Sequence, residues 1–235
     1  MPADSSQSTS FEWLPWLLQV NDSQFPSGAY AHSMGLEELT QRELIRKPED
    51  LERFLHQQIL PGLLAFELPF LARAHAAAAQ EDLKALRTLD DELEAWKLAA
   101  EMRQASRQLG SRRLALIHKL DPASFPIIYA SPSENGGAPC HHLIICALEL
   151  RALPVAAAAM AFGYQTISGY CVASMKLIRM GQERSQLILR RAVSALAPRI
   201  EPILVAPPER IGWFNPLLEI SSMRHARAHE RLFIS

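Results

Sequence analysis

The chain has 235 residues, of which 49% are hydrophobic and 21% are charged, and its formal net charge at pH 7 is −1. These values allow one large domain with a sizeable core, and they exclude a globally basic protein built to bind nucleic acid. The three cysteines form no C-x-x-C pair and follow no secretory signal, so we expect free thiols and a cytoplasmic protein.

The N-terminal part of the chain combines a polar leader with two short predicted helices. Residues 1–10, MPADSSQSTS, are expected to form a disordered leader, and residues 11–235 a single domain. An apolar segment covers 11–20, and a Pro-Gly break at 26–28 precedes a helix predicted over 29–42. That helix would hold Gly35 in its interior at a cost of about 1 kcal/mol relative to alanine. The glycine therefore indicates that another backbone approaches closely there.

The middle of the chain is predicted to be helical. Pro48-Glu49-Asp50 is typical of a helix start, and apolar residues recur at spacings of three and four between 81 and 120. A capping box formed by Thr88 and Asp91 could divide this long segment into two helices. Residues 121–139 are predicted to be a break that contains the loop SPSENGGAP, and FPIIYA, residues 125–130, is the one strand-like stretch.

The remaining segments predict further helices over about 140–150, 155–180, 182–196 and 217–230. Between Arg151 and Lys176 lie 24 uncharged residues, but most of them are small or polar. Such a composition favours a buried, closely packed helix over a membrane span, which leaves an integral membrane protein as a remote alternative. We therefore predict an all-α, single-domain multi-helix bundle of roughly ten helices.

The stretch AHSMG, residues 31–35, has the form A-x-S-x-G of a nucleophile elbow, which makes a serine hydrolase using Ser33 an alternative function. An elbow needs a β-strand before its serine, and a hydrolase fold needs a parallel sheet. The preceding residues, SQFPSGAY, place proline and glycine where the strand belongs. The hydrolase is therefore the weaker interpretation.

Four segments, in the same order along the chain, are similar to the motifs of one family. They are LLQVNDSQFPSGAYAHSMGLE near the N-terminus, EMRQASRQLGSRRL at 101–114, GYCVASMKLIRMGQERSQLIL at 169–189 and ISSMRHARAHERLFIS at 220–235. Together they resemble the urease accessory protein F (UreF) family. The chain departs from the family pattern at Ser27, Arg179, Met180 and Ala226.

The resemblance implies an all-helical, non-enzymatic protein that forms a homodimer and acts as a chaperone of urease maturation. Its implied partners are the urease accessory protein of the D/H type, the GTPase accessory protein G and apo-urease. Nickel would be the cargo of this complex, and GTP and Mg would bind the partner GTPase, so no cofactor is expected on this chain. No nucleic-acid or membrane partner is implied.

The resemblance also assigns roles to individual residues. The tail, residues 220–235, is predicted to become ordered on binding the D/H-type partner. Tyr164 falls at the family's dimer contact, although a core tyrosine is an equally good interpretation. Arg103 and Ser106 are predicted to form an interior hydrogen-bonding pair, with a binding role as the alternative. The residues predicted to bind partners are Tyr30, His32, Ser33, Gly35, Glu37, Met223, His225, Arg231, Leu232 and Phe233. Those predicted to be structural are Pro26, Gly28, Arg103, Ser106, Gly110, Gly181 and Gln182.

Histidines and cysteine occur together at two places that invite a metal-site interpretation. Cys140 adjoins His141 and His142, and His225 and His229 are spaced to share one face of a helix. Two ligands without a third or fourth rarely hold a metal tightly. We therefore predict no metal site on this chain.

Overall fold

The computed structural model describes residues 11–122 and 140–235, and within these ranges the chain contains helices and no strand. This confirms the prediction of an all-α multi-helix bundle. The predicted leader at 1–10, the strand-like FPIIYA and the loop SPSENGGAP lie outside the described residues.

The helices are named here in chain order. They are α1 (Leu14–Asn21), α2 (Leu36–Gln41), α3 (Pro48–Phe54), α4 (Leu60–Gly62), α5 (Leu68–Ala79), α6 (Leu83–Trp96), α7 (Ala100–Leu120), α8 (His142–Glu149), α9 (Val155–Leu177), α10 (Gln182–Leu196), α11 (Ile200–Leu204) and α12 (Pro216–His225). Helix α8 packs against α5 and α7, while α9 packs against α10 and α5, so α5, α8 and α9 lie at the centre of the core.

Residues 48–79 form one continuous helical run that is widened twice into π-helical turns, at Leu55–Ile59 and Leu63–Glu67. Pro61 and Pro69 follow these turns, and proline has no N–H to donate to the carbonyl one turn earlier. The carbonyl of Ala65 instead accepts a hydrogen bond from Gly212 N at 2.9 Å. Pro69 thus leaves a carbonyl on which the segment before α12 docks.

Helix α6 is continuous through the predicted break at Thr88 and Asp91. Asp82 caps its start by accepting a hydrogen bond from Ala85 N at 2.9 Å, and Thr88 Oγ1 donates to Lys84 O at 3.0 Å from inside the helix. The chain breaks later, between α6 and α7. The predicted capping box is therefore wrong, because Thr88 bonds to the preceding turn rather than to a following N–H.

Helix α9 is the long helix predicted from small residues. Its Ala158, Ala159 and Gly163 are buried, and a Cβ on Gly163 would lie 2.5 Å from Leu196 Cδ2 of α10. Small side chains thus let α10 approach closely. Among the described residues, no helix has both the length and the apolar character needed to cross a membrane.

All three cysteines are free, as the sequence predicts, and the structure shows that all three are buried. Burial raises the pKa of Cys140 to about 11 and the pKa values of Cys146 and Cys171 to about 12. The thiols are therefore protonated at neutral pH, and none is activated as a nucleophile.

Candidate partner-binding surface

The loop before α2 differs from its prediction because two of its glycines adopt the left-handed conformation. Gly28 has φ +83° and Gly35 has φ +85°, and only a short 3₁₀ turn, Ala29–Ala31, lies between them. Residues other than glycine rarely adopt such angles. The predicted helix over 29–42 is therefore wrong in its first half, and Gly35 precedes α2 rather than interrupting a helix.

The backbone that approaches Gly35 belongs to the chain itself. A Cβ at Gly35 would lie 3.4 Å from Ser221 Cβ of α12, and one at Gly28 would lie 2.8 Å from Arg112 Nη1. The close approach predicted from Gly35 is confirmed, but it joins α2 to α12. Gly35 is therefore not a contact for another polypeptide in this structure.

Ser33 is buried in this loop and is not placed as a nucleophile. Its hydroxyl oxygen accepts a hydrogen bond from Glu37 N at 3.4 Å, and its N–H donates to Ser235 O. Neighbouring His32 is bonded elsewhere, with Nδ1 2.6 Å from Ser235 Oγ. Because the described chain has no strand leading to the serine, the hydrolase interpretation is wrong.

Glu37 joins α2 to the C-terminal tail. Its Oε1 accepts a hydrogen bond from Leu232 N at 2.7 Å, and its Oε2 accepts one from Phe233 N at 3.0 Å and lies 2.9 Å from His225 Nε2. Burial alone would raise the pKa of Glu37, but the hydrogen bonds from Leu232, His225 and Phe233 outweigh it and lower that pKa. The carboxylate is therefore ionised at neutral pH.

Glu101 on α7 completes a cluster that we call the tail clasp, formed by Glu37, Glu101 and His225. His225 Nδ1 lies 2.9 Å from Glu101 Oε1, and Ser222 Oγ lies 3.2 Å from Glu101 Oε2. Arg231 Nη1 lies 3.4 Å from Glu101 Oε1. The His225 side chain is fully buried between the two carboxylates. The clasp thus connects α2, α7, α12 and the tail.

The tail is docked on its own chain beyond α12. That helix ends at His225, short of the predicted 230, so His225 and His229 do not share a helix face. Phe233 is buried, and Ile234 N donates to Ala31 O at 2.8 Å. Partner-dependent ordering of this segment stays a prediction.

Several residues predicted to contact a partner lie in the interior instead. The side chains of His32, Ser33, Glu37, His225 and Phe233 are buried. Their direct contact with another protein is contradicted in this conformation, because each packs or bonds within the chain. Met223 and Arg231 are exposed, as a partner contact requires.

Two side chains of the tail and one of the loop that it contacts are exposed, and we call these three the tail patch. Tyr30 is 72% exposed, Leu232 63% and Ile234 52%. Lys176 Nζ lies 6.0 Å from the ring centre of Tyr30 and 5.2 Å from that of the buried Phe233. Ile234 was missed from sequence, although the alternation of Leu232, Phe233 and Ile234 is typical of an extended segment with one buried face.

The tail borders a partly open pocket of about 180 Å³. Its wall includes His32, Glu67, Tyr170 and Ser235. Burial raises the pKa of Glu67, opposed by the charge of Lys97, and burial together with Glu67 raises the pKa of Tyr170. Within the described residues, Nε2 of His32 is buried without a hydrogen-bond partner.

The residues predicted to be structural have separate roles. Arg103 Nη1 donates to Lys97 O at 2.6 Å and to Leu98 O at 2.9 Å, whereas Ser106 Oγ lies 3.0 Å from His141 Nδ1. The predicted mutual pair is therefore wrong, because each side chain bonds to a different segment. A Cβ on Gly110 would lie 1.8 Å from Cys140 O, so α7 touches the chain entering α8.

Four further predicted residues lie at the surface. Pro26 is exposed in the loop before α2, and Gly181 directly precedes α10, of which Gln182 is the first residue. A Cβ on Gly181 would meet no atom within 4 Å. Tyr164 on α9 is 39% exposed, so it is not a core side chain of this chain.

The candidate metal ligands are already engaged with protein groups. His141 Nε2 lies 2.8 Å from Glu94 Oε2, and burial lowers the pKa of His141 to about 4. Burial and the charge of Arg113 lower the pKa of His142 to about 3. Across residues 11–122 and 140–235, no group of three or more His, Cys, Asp or Glu side chains is arranged to hold a metal ion.

Comparison with known proteins identifies the family. The UreF family model matches residues 45–193. Proteins named urease accessory protein UreF from Bacillus sp. (strain TB-90) and Paenarthrobacter aurescens (strain TC1) are 31% and 30% identical to the chain, each over 221 residues and 93% of its length. These matches cover 97% and 96% of the two relatives. The chain therefore belongs to the UreF family of urease accessory proteins.

Proposed function

We propose that this chain is a non-enzymatic scaffold of urease maturation that assembles with the D/H-type accessory protein and the GTPase accessory protein G. The assembly would deliver nickel to apo-urease in the cytoplasm, coupled to GTP hydrolysis on the GTPase. Family membership supports the urease context. The observation that carries the scaffold role is the tail patch, an exposed apolar surface held in place by a docked tail.

Tyr30, Leu232 and Ile234 expose most of their side chains although they are apolar or aromatic. Exposed groups of this kind mark protein interfaces, and aromatic anchors contribute strongly to binding. Arg231 lies beside the patch and could pair with a carboxylate of the partner. The proposed occupant of the patch is the D/H-type accessory protein.

The test is co-purification of this chain with its D/H-type partner. The variant Tyr30→Ala/Leu232→Ala removes two exposed side chains, and Leu44→Ala/Val205→Ala is a matched control because those side chains are also exposed. We expect the first variant to lose at least about tenfold in affinity, as hot-spot truncations do, and the control to bind normally. Equal binding by both variants would refute the assignment of the patch.

The proposed homodimer uses Tyr164. This tyrosine and Val172 are exposed on α9, two turns apart on one face of the helix. Sedimentation velocity should show a dimer that Tyr164→Lys dissociates, whereas Tyr30→Lys leaves it intact. A Tyr164→Lys protein that sediments like the wild type would rule out this contact.

The proposal places nickel on the complex rather than on the isolated chain. We therefore expect equilibrium dialysis of the purified chain to show no nickel binding at micromolar concentrations. Micromolar binding with defined stoichiometry would contradict the proposal, because it would make this chain a metal carrier.

A further inference from the structure

The tail clasp places one histidine between two carboxylates. Both ring nitrogens of His225 lie 2.9 Å from a carboxylate oxygen, one from Glu37 and the other from Glu101. An ionised carboxylate only accepts hydrogen bonds, so both contacts are satisfied only when both ring nitrogens carry protons. The neutral imidazole would turn one lone pair toward a carboxylate. With both carboxylates ionised, the geometry therefore fits the imidazolium form of His225.

The charges around the imidazole come from each element packed against it. Glu37 projects from α2 and Glu101 from α7, while Arg231 of the tail approaches the same Glu101 oxygen at 3.4 Å. The two carboxylates are balanced when His225 and Arg231 are both charged. Loss of the imidazolium proton would leave a net negative charge between helices, which is costly in a buried site.

The clasp also carries the main-chain attachment of the tail. Glu37 accepts hydrogen bonds from the N–H groups of Leu232 and Phe233, in addition to its contact with His225. Residues 226–235 contain no helix of their own. Their position therefore depends on Glu37, on the burial of Phe233 and on the contacts of Ser235.

We propose that the tail clasp is a charge-dependent lock on residues 226–235, which opens when the cluster loses the charge of His225 or of Glu37. In the locked state, Ser235 Oγ lies 2.6 Å from His32 Nδ1, and both residues line the partly open pocket. Opening uncovers His32 and removes Ser235 from the pocket wall. The lock therefore controls the tail side of that pocket.

The pH dependence of the lock follows from Glu37. The hydrogen bonds hold the pKa of Glu37 below its usual value despite burial, so its contribution is present above the unfolded pKa and is lost as acid protonates the folded carboxylate. The lock is therefore closed at neutral pH and is released in acid.

Hydrogen–deuterium exchange of the full chain at pH 7 tests the lock. The amides of Leu232 and Phe233 report the tail, and those of α9 report the core. We expect His225→Gln, which removes the charge between the two carboxylates, to lower the protection of the tail amides by about tenfold, the size of a lost charge-assisted hydrogen bond, with α9 unchanged.

The variant Glu101→Gln removes one carboxylate of the clasp and leaves Glu37 in place, and it should also weaken tail protection. Glu38→Gln is the matched control, because the Glu38 side chain on α2 is as little exposed as that of Glu101 but pairs with Arg42. Tail protection in His225→Gln or Glu101→Gln that equals that of the wild type or of Glu38→Gln would overturn the lock. A loss of α9 protection in Glu101→Gln would also overturn it, by making the clasp part of the global fold.

Discussion

The contact between Gly110 and the chain entering α8 gives the sharpest test of the packing. A Cβ at Gly110 would lie 1.8 Å from Cys140 O, whereas ordinary contacts begin at 3.4 Å, so Gly110→Ala requires a displacement of about 1.6 Å. The segment that must move is anchored by Asp90, which accepts hydrogen bonds from Cys140 N at 2.7 Å and His141 N at 2.9 Å. The displacement would move both beyond bonding distance.

The expected magnitude follows from three effects. Alanine gains about 1 kcal/mol over glycine inside a helix. Overpacking costs about 1–3 kcal/mol, and each lost hydrogen bond to a charged group costs about 1.5–3 kcal/mol. We therefore expect Gly110→Ala to lower the free energy of unfolding by about 3 kcal/mol or more.

Urea unfolding followed by circular dichroism at 222 nm measures this change. Gly181→Ala is the matched control, because its Cβ would meet nothing within 4 Å and its φ of −78° suits alanine. The control should stay within about 0.5 kcal/mol of the wild type. If Gly110→Ala unfolds like the control, the inferred contact between α7 and the start of α8 is wrong.

Three further predictions concern buried charges and a helix cap. Arg113→Met should lower the free energy of unfolding by about 3–5 kcal/mol, because it leaves the buried Glu149, 2.6 Å from Arg113 Nε, without its charge partner. Arg113→Met/Glu149→Leu should recover most of that loss, and a double variant no more stable than Arg113→Met would contradict the prediction. Burial lowers the pKa of His142 to about 3, so this histidine becomes protonated in the unfolded chain at a higher pH than in the folded chain. The free energy of unfolding therefore falls as the pH drops below about 6.5. His142→Gln should reduce the slope of unfolding free energy against pH by about 1.4 kcal/mol per unit between about pH 4 and 6, and an unchanged slope in urea titrations would argue against it. Asp82→Ala should lower the free energy of unfolding by about 1 kcal/mol, because it removes the N-terminal cap of α6. Thr88→Ala, at an exposed position inside α6, is the control and should change the melting temperature little in calorimetry; equal melting temperatures for the two variants would exclude the cap.

Local pattern was enough to identify most helices and the family. Apolar spacing indicated α6 and α7, and small residues indicated the buried α9, because a helical face that packs against a core must repeat every three to four residues. The segments at 17–37, 101–114, 169–189 and 220–235 indicated the UreF family from residue identity alone, without any contact geometry.

Conformation at single positions was harder to predict. Glycine at position 35 is compatible both with the interior of a helix and with a left-handed turn. The turn is the conformation in which Gly35 packs against Ser221 of α12. The π-helical turns before Pro61 and Pro69 were not predicted either. Pro69 cannot donate a hydrogen bond to Ala65 O, and the donor that replaces it, Gly212 N, lies far along the chain. Single-sequence patterns carry no information on such distant donors.

The periodicity of this chain predicted an all-α fold, its cysteine spacing predicted free thiols, and its motif segments resembled one family, because these properties follow from local propensity and residue identity. Tertiary structure alone decided that Ser33 is buried and that His225 lies between Glu37 and Glu101, which are 188 and 124 residues away in sequence. Charge pairing at that range depends on where the helices pack. The same packing separates the buried clasp from the exposed tail patch.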